Sequence, residues 1–170
     1  RDLTPGATYF FTVTLRDRRA STLATHVDLL MDAFAATKQQ RQFRTIAMVV
    51  LPDHLHALWR MPDDDADYPS RWRSIKSGFV RRLRKRDPGH GFDRDGRPQI
   101  WQARYWEHRI RDDRDLQAHV DYIHYNPVKH GHAASPGAWP YSTFGAWVRA
   151  GRLPGDWGAG VVEASGRFGE

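Results

Sequence analysis

The sequence predicts a single domain of the α+β class, in which helices pack on an antiparallel sheet. The 170 residues suffice for one hydrophobic core and are too few for two. Short aromatic and β-branched runs, typical of strands, are interspersed with segments whose apolar residues recur at helical spacing. Their order is strand, helix, strand, strand, helix, strand, helix. Split βαβ units in this order predict a ferredoxin-like sandwich, with helices covering one face of the sheet.

The first half of the chain supplies three predicted strands and one helix. Residues 9–15 (YFFTVTL) are aromatic and β-branched and predict the first strand. Ser21 or Thr22 can cap a helix whose apolar stripe consists of Leu23, Val27, Leu30, Met31 and Phe34. Residues 43–51 predict the second strand and residues 54–61 the third. Because only two residues separate these strands, they should pair as a hairpin, which makes the third strand an inner one.

The second half supplies two further helices and one strand. Ser70 can cap a helix with an apolar stripe formed by Trp72, Ile75, Phe79 and Leu83. Residues 100–111 alternate bulky and polar side chains and predict the fourth strand. Asp112 or Asp113 can cap the last long helix, which we expect to end at Asn126 because the following proline disfavours helical geometry there.

The remaining segments predict loops and a tail. Residues 87–98 are rich in glycine, proline and aspartate and predict a long loop. Residues 62–67 contain four acids, which could indicate a metal site. Successive acids in a proline-flanked loop are usually solvated, so we predict that these acids are solvated. We expect residues 1–150 to form the domain and residues 151–170 a C-terminal tail, anchored only at Trp157.

Composition narrows the chemistry and the compartment. The chain has no cysteine, which excludes disulfides and thiolate metal sites and leaves imidazole, carboxylate, amide and phenol groups. No apolar run approaches the length of a membrane span and no signal peptide is visible, so we predict a soluble, cytoplasmic protein without a membrane partner.

An excess of positive charge predicts a polyanionic partner. The net charge is +6, and nucleic acid is the simplest polyanionic partner for such a protein. The alternative explanation is a high-GC genome, in whose proteins arginine is generally common. The excess concentrates on the helix after residue 70, whose basic residues are Arg71, Arg73, Lys76, Arg81, Arg82, Arg84, Lys85 and Arg86. No acid interrupts this run, and the mutual repulsion suggests that DNA phosphates relieve it; a solvated helix face is the alternative.

Two histidines in the third strand predict half of a metal site. Residues two apart on a strand point to one face, so His54 and His56 should stand side by side while Leu55 enters the core. Two neutral imidazoles on one face can begin a divalent-metal site. Two partly exposed histidines on a solvent-facing strand would produce the same pattern.

A tyrosine and an asparagine on the last long helix offer complementary chemistry. Tyr122 and Asn126 are four residues apart and share a helix face. A deprotonated phenol is a nucleophile, and an amide oxygen suits Mg²⁺ or Mn²⁺. Because a phenol titrates near pH ~10, its activation would fall to Lys129, the metal or His119, and the sequence leaves this choice open. A half-buried tyrosine and a helix-ending asparagine are the structural alternatives, and we prefer such a structural role for His124 and Tyr125.

Several motifs together resemble one protein family. His54-Leu55-His56 resembles the histidine-hydrophobic-histidine motif of the Y1 transposases, which belong to the HUH endonuclease superfamily. Residues 122–131 (YIHYNPVKHG) are similar to their tyrosine helix. Residues 6–12 resemble the first strand of the REP-associated tyrosine transposases, and residues 139–142 resemble the segment after their tyrosine helix. The similarity runs from about Gly6 to Trp147, with the motifs in the expected order.

The resemblance implies a metal-dependent endonuclease. Such an enzyme would cut single-stranded DNA beside a hairpin of a repetitive extragenic palindrome (REP) and form a 5′-phosphotyrosine intermediate. His54 and His56 match the metal ligands and Tyr122 the nucleophile. Asn126 occupies the position where insertion-sequence relatives have glutamine, so it is a less certain third ligand than the two histidines. The same spacing argues against Tyr125 as the nucleophile, because the residue four positions after it is Lys129, where a metal ligand would be expected. Lys129 is a further expected DNA contact.

The resemblance also predicts an assembly and leaves rivals. We expect a monomer with both halves of the site in one chain, although a homodimer is possible because insertion-sequence enzymes exchange the tyrosine helix. The location would be the bacterial cytoplasm, at the nucleoid. The first rival is a catalytically idle, domesticated protein that binds DNA hairpins. The second is an RNA-binding sheet, which would expose aromatic residues on its central strands and need no metal.

Overall fold

A single four-stranded sheet organises the molecule. The structure, a computed structural model, describes residues 2–160. The sheet runs in the order β2-β3-β1-β4, and every neighbouring pair is antiparallel. The strands are β1 (Thr8–Thr14), β2 (Arg44–Val50), β3 (His54–Arg60) and β4 (Trp106–Arg109). This order confirms the predicted ferredoxin-like α+β fold, and β3 is an inner strand as expected.

Five α-helices and a short 3₁₀ helix surround the sheet in the described residues. The α-helices are α1 (Thr22–Thr25), α2 (Val27–Gln40), α3 (Tyr68–Arg86), α4 (Asp113–Lys129) and α5 (Phe144–Arg149). The 3₁₀ helix is Pro136–Ala138. Within residues 2–160, none of the helices combines the length and the apolar character that a membrane crossing requires.

Helices cover both faces of the sheet, which corrects the expectation of one covered face. Phe11 and its neighbours at odd positions of β1 pack with α2 and α3 in the larger core, where Trp59 stacks on Trp72 at 4.3 Å between ring centroids. Phe10 points to the opposite face and packs with Ile123 of α4 in a second core. Because side chains alternate along a strand, each strand serves both cores. The even-numbered side of β3, which carries the two histidines, therefore faces α4.

The predicted first helix is divided into two at His26. Its backbone (φ −118°, ψ 36°) is not helical, so α1 ends there and α2 begins after it. The backbone N–H of Leu23 donates to Pro52 O (3.0 Å), which ties α1 to the connection between β2 and β3. Ser21 is the N-cap residue of α1, as one of the two predictions had it, but its side chain forms no capping hydrogen bond.

Helix α3 begins earlier than predicted, because its cap comes from the acidic loop. Asp67, not Ser70, is the N-cap, and its side chain accepts from the backbone N–H of Ser70 (3.0 Å). Pro69 lies in the first turn, where its missing N–H costs no helical hydrogen bond. Asp67 of this loop thus stabilises the start of a helix.

The fourth strand and the last long helix also differ from prediction at their ends. β4 contains four residues, whereas the predicted strand had twelve. Before β4, Trp101 forms only an isolated β-bridge with Leu15, and regular pairing with the sheet begins at Trp106. α4 continues through Pro127 to Lys129. The proline sits in the last turn, where the loss of one backbone donor is tolerated, and Gly131 (φ +70°) reverses the chain. Asp112 is the N-cap, one of the two predicted residues.

The beginning of the C-terminal tail contacts the domain. Trp157 packs near Phe144 of α5, with 6.1 Å between ring centroids, as the predicted anchor requires. Gly158 (φ +70°) lies against Pro136, where a Cβ would approach a proline carbon to 3.0 Å. Residues 161–170 of the predicted tail lie outside the described residues, and the boundary at residue 150 stays a prediction.

Candidate active site

The two histidines of β3 stand side by side and are buried. Their ring centroids are 4.9 Å apart, and His54 and His56 are 1% and 0% exposed. Leu55 points into the larger core. The strand alternation thus confirms the predicted shared face, while the burial excludes the alternative of two solvent-facing histidines.

Each imidazole is oriented by a neighbour that engages its Nδ1 atom. His54 Nδ1 lies 2.8 Å from Asp53 Oδ1, and His56 Nδ1 lies 2.9 Å from Thr12 Oγ1 on β1. With Nδ1 engaged in this way, Nε2 is the nitrogen that a metal ion would bind, as is usual for metal-binding histidines. The Nε2 atom of His54 is buried and forms no hydrogen bond with residues 2–160. A buried acceptor of this kind is suited to a metal ion.

Asp53 carries a negative charge beside the pair. Its carboxylate also accepts from Arg18 Nε (2.9 Å). Burial acts to raise the pKa of Asp53, but the hydrogen bond and charge of His54, together with Arg18, outweigh it, so the pKa lies below the ordinary value. An ionised carboxylate here fixes the His54 ring and adds negative charge close to the proposed ligands.

Helix α4 brings the predicted nucleophile to the histidines of the same chain. The ring of Tyr122 lies 5.2 Å from that of His56, with Phe10 in contact with both rings. Asn126 follows one turn later and is fully buried. His130, one turn beyond Asn126, has its ring 5.4 Å from that of His54. His130 lies beyond the end of the helix that the sequence predicts, so it was not among the predicted site residues.

Lys129 places its ammonium group beside the phenol of Tyr122. Its Nζ donates to Tyr122 Oη (3.3 Å) and lies 4.7 Å from the centre of the tyrosine ring. Lys129 is exposed, whereas Tyr122 is only 2% exposed. An ammonium group in this position stabilises negative charge on the phenolic oxygen. Of the three activators that the sequence left open, Lys129 therefore has a direct contact.

A second cluster of metal-ligand types lies next to this site. His108 of β4 and Asp115 and His119 of α4 place one ligand atom each within 4.8 Å of one another. Asp115 Oδ2 accepts from His108 Nε2 (2.8 Å) and from the backbone of Arg111 (3.0 Å). His119 Nδ1 donates to the backbone oxygen of Asp115 (2.8 Å). The cluster thus forms a hydrogen-bonded junction between β4 and α4.

Opposing influences set the pKa values in this junction. Burial acts to raise the pKa of Asp115, but hydrogen bonds from His108 and Arg111 lower it to about 2. Burial lowers the pKa of His119, against the opposing influence of Asp115. The sequence predicts His119 as a possible activator of Tyr122 but does not predict a role for His108, because the predicted strand was too long to indicate which of its residues pair.

Burial also confirms the structural role of His124. Its Nε2 atom lies 3.0 Å from Thr143 Oγ1, and burial lowers its pKa to about 4, so it is neutral at physiological pH. Tyr125 points away from the histidine pair, with its ring 6.5 Å from that of Trp157.

Arg71 is not available to DNA, contrary to the prediction. Its side chain is 1% exposed, and its guanidinium donates to the backbone oxygens of Asp67 (3.0 Å) and Gln42 (2.7 Å) and to Asp65 Oδ2 (2.7 Å). It thus joins α3 to the acidic loop and to the start of β2. The sequence could not indicate this, because one of the acceptors, Gln42, lies 29 residues away in sequence and meets Arg71 only in the folded chain.

The other predicted DNA contacts of α3 lie on two sides of the helix. One side borders a groove that Arg73, Lys76, Arg81 and Arg84 line. The other side carries Arg82, Lys85 and Arg86 and faces α2, where Arg86 Nη1 pairs with Asp28 Oδ2 (2.6 Å). The basic helix is therefore not one continuous phosphate-binding face. It packs on the face of the sheet opposite the histidine pair.

Comparisons with known proteins agree with this geometry. The family model described as "Transposase IS200 like" matches residues 6–126. The REP-associated tyrosine transposase of Escherichia coli K12 is 43% identical over 160 residues, covering 94% of this chain and 90% of that protein. A relative from Haemophilus influenzae is also 43% identical over 160 residues, covering 93% and 91%.

Solved structures extend the agreement to the fold. A REP-associated tyrosine transposase bound to a REP hairpin matches with a TM-score of 0.84 and 41% identity, covering 98% of this chain and 95% of that one. A Deinococcus radiodurans protein with 18% identity and a TM-score of 0.51, covering 78% and 96%, shares the fold. Because the family model matches residues 6–126 and the relatives are about 40% identical over nearly the whole chain, this protein belongs to the IS200-like transposase family and, within it, to the REP-associated tyrosine transposases.

Proposed function

We propose that this protein is a metal-dependent, single-stranded DNA endonuclease that recognises the hairpins of repetitive extragenic palindromes. It would cleave DNA and rejoin it through a 5′-phosphotyrosine intermediate. The observation that carries the proposal is the position of Tyr122, whose ring lies 5.2 Å from that of His56 within one chain. The relative that matches with a TM-score of 0.84 is bound to a REP hairpin, which supports the choice of DNA.

The donor set fits a divalent cation. We assign His54, His56 and Asn126 as its ligands, since imidazole and amide oxygen both coordinate Mn²⁺ and the amide also suits Mg²⁺. The buried Nε2 atom of His54 and the Nδ1 contacts that orient both rings support this assignment. When bound, the ion would polarise the scissile phosphate and offset its developing charge.

Tyr122 and Lys129 would have different roles in the attack on the scissile phosphate. The phenolic oxygen forms the new bond to phosphorus, the bond between phosphorus and the 3′ oxygen breaks, and the DNA strand leaves with a 3′ hydroxyl. The Lys129 ammonium, 3.3 Å from that phenolic oxygen, stabilises the charge as the proton departs. Because the phosphodiester energy is conserved in the tyrosyl link, the reverse reaction can rejoin a strand.

Access to the phenol requires movement of side chains. Tyr122 is 2% exposed, so a phosphate cannot reach its oxygen in the conformation described. Lys129 covers the ring and is itself exposed, which allows it to swing outward with an incoming phosphate. We therefore assign Lys129 as a DNA contact as well as a partner of Tyr122.

The assembly and the location follow from the same proposal. A site with nucleophile and ligands in one chain supports a monomer, without exchange of the tyrosine helix. The protein would act on chromosomal hairpins in the bacterial cytoplasm, at the nucleoid. An RNA-binding sheet is disfavoured, because helices cover both faces and the large hydrophobic residues exposed within residues 2–160 are Leu3 and Trp106.

A covalent adduct tests the proposal against the idle hairpin-binding rival. The protein is incubated with a labelled REP hairpin carrying single-stranded flanks and with Mn²⁺ or Mg²⁺, and protein-linked label is resolved by denaturing electrophoresis. We expect an adduct with the wild type and with Tyr125→Phe, and none with Tyr122→Phe or with EDTA. If wild type binds the hairpin without forming an adduct, or Tyr122→Phe still forms one, the proposed chemistry is wrong.

A further inference from the structure

Three potential metal ligands converge at the junction between β4 and α4. Asp115 and His119 are four residues apart in the first two turns of α4, so their side chains share one face of the helix. His108 reaches them from β4, an edge strand of the sheet. One ligand atom from each residue lies within 4.8 Å of the others. Because two separate elements supply the donors, the fold and not a single segment creates the cluster.

The spacing of the donors is close to that around a metal ion. His108 Nε2 lies 2.8 Å from Asp115 Oδ2. Two atoms that bind one zinc ion at about 2.0–2.2 Å are about 3.3–3.6 Å apart in a tetrahedral site. Small rotations of the side chains would therefore open room for an ion. The proton that now joins His108 to Asp115 would pass to solvent or to Nδ1 of the His108 ring.

The cluster opens to solvent on one side only. The side chain of His108 is 25% exposed, whereas those of Asp115 and His119 are 9% and 1% exposed. The ring of Trp106 stacks on His108 with 5.8 Å between centroids, and the His108 ring stacks on that of His119 at 4.9 Å. An ion can thus enter past His108 and then lie beside aromatic rings. The reduced contact with water would strengthen its attraction to the carboxylate.

Contacts outside the cluster hold its donors in place and include one opposing charge. The backbone N–H of Arg111 donates to Asp115 Oδ2 (3.0 Å), and His119 Nδ1 donates to the backbone oxygen of Asp115 (2.8 Å). Such outer contacts orient ligands before an ion binds. Arg111 Nε also lies 3.2 Å from Asp115 Oδ2, and its positive charge would oppose a cation there. Because its side chain is 74% exposed, it can turn to solvent.

We propose that His108, Asp115 and His119 form a metal site for a divalent transition ion of the Zn²⁺ type. Two imidazoles and one carboxylate are typical zinc ligands, and they leave a fourth position for water. The site would be separate from the histidine pair of β3 and does not depend on the proposed endonuclease activity. The ion would tie the edge strand β4 to the first half of α4, and would so hold in place the helix that carries Tyr122.

Zinc binding by a protein that lacks the histidine pair of β3 tests this site. The full chain is freed of metal with EDTA and dialysed, and competition with a chromophoric chelator measures the number of Zn²⁺ ions and their affinity. We expect His54→Ala/His56→Ala to bind one ion. Adding His108→Ala should weaken that binding by more than the about 10- to 100-fold that loss of an outer partner typically costs.

A histidine elsewhere in the chain is the matched control. His90 lies in the loop after α3, and adding His90→Ala to the double variant should leave zinc binding unchanged. In the wild-type background, where the histidine pair is intact, His108→Ala should likewise remove one ion. If the double variant binds no zinc, or if His108→Ala has no more effect than His90→Ala, the inference is wrong.

Replacement of Arg111 by alanine should change the affinity in the opposite direction. Because the substitution removes a cation beside Asp115, zinc should bind several-fold more tightly, a result that damage to the fold would not produce. X-ray absorption at the zinc edge of the His54→Ala/His56→Ala protein should show two imidazoles among the ligands. Affinity that does not increase, or fewer than two imidazoles, would overturn the inference. An adduct with Mn²⁺ or Mg²⁺ but no zinc binding would retain the endonuclease and remove this site, and zinc binding without an adduct would do the reverse.

Discussion

The histidine pair receives its orientation from two different parts of the sheet. Thr12 holds His56 from the adjacent strand β1, whereas Asp53 holds His54 from the turn before β3. For Nε2 to bind a metal, Nδ1 of each ring must carry the proton, and an oxygen acceptor at 2.8–2.9 Å stabilises that tautomer. The two proposed ligands are therefore oriented before any ion binds, and we expect metal affinity to depend on Thr12 and Asp53, which would not touch the ion.

Replacing Thr12 by valine should weaken metal binding. The substitution keeps the shape of the side chain but removes the acceptor for His56 Nδ1, and loss of such an outer partner typically costs about 10- to 100-fold in affinity. Titration calorimetry with Mn²⁺ measures the effect. Thr14→Val is the matched control, because Thr14 lies on the same face of β1 without this contact; equal weakening by both variants would contradict the assignment.

Replacing Lys129 by methionine should slow adduct formation at neutral pH. The aliphatic part of the side chain stays over the Tyr122 ring, but the charge beside the phenolic oxygen is lost, and such electrostatic contributions are worth about 10²- to 10³-fold. Single-turnover rates from pH 6 to 10 should approach those of the wild type as pH rises toward about 10, where a phenol ionises unaided. Lys129→Arg should retain most of the rate. A deficit of equal size at every pH would contradict this role.

At the scale of elements, side-chain contacts fix the ends of helices and strands. Local patterns predicted which segments are strands and helices, because side-chain alternation and apolar spacing are properties of the segment itself. The ends and the partners depend on contacts between segments: the side chain of Asp67, in the loop before α3, caps that helix, and the buried Arg71 donates to the backbone oxygen of Gln42, 29 residues away. For the same reason the sequence predicted His54, His56 and Tyr122 from local motifs but missed His108, whose partner Asp115 belongs to the next element.

The junction between β4 and α4 should make stability depend on pH below 4. Because the folded pKa of Asp115 is lowered from 3.8 to about 2, its stabilising effect is complete above pH 4 and is lost as pH falls toward 2. Asp115→Asn should therefore lower the free energy of unfolding by about 1.5–3 kcal/mol at pH 6, the usual contribution of hydrogen bonds to a charged group, and by progressively less below pH 4. Urea unfolding at several pH values measures this, with Asp121→Asn as control, since burial raises that pKa. A cost for Asp115→Asn that stays constant down to pH 2 would contradict the assignment.

At the scale of the whole molecule, the sheet separates two kinds of binding surface. The histidine pair and Tyr122 occupy the face covered by α4, and the groove lined by basic residues of α3 occupies the face covered by α3. The sequence predicted the histidine pair with Tyr122 and the basic residues of α3, but not that they lie on opposite faces of the sheet. The basic residues of α3 do not indicate on which face of the sheet the helix packs. A substrate that reaches both must extend around an edge of the sheet, which suits a single strand better than a duplex.

Mixing two inactive variants should not restore activity if the site is complete within one chain. Tyr122→Phe lacks the nucleophile and His56→Ala lacks a ligand, so each alone should form no adduct. Because the Tyr122 and His56 rings are 5.2 Å apart in one chain, a mixture should remain inactive at every ratio. A dimer that exchanged α4 would instead rebuild intact sites, up to about a quarter of the total in an equal mixture. Adduct formation in the mixture, measured with light scattering to determine the assembly, would show that the nucleophile works in the partner's site and would overturn the monomeric arrangement.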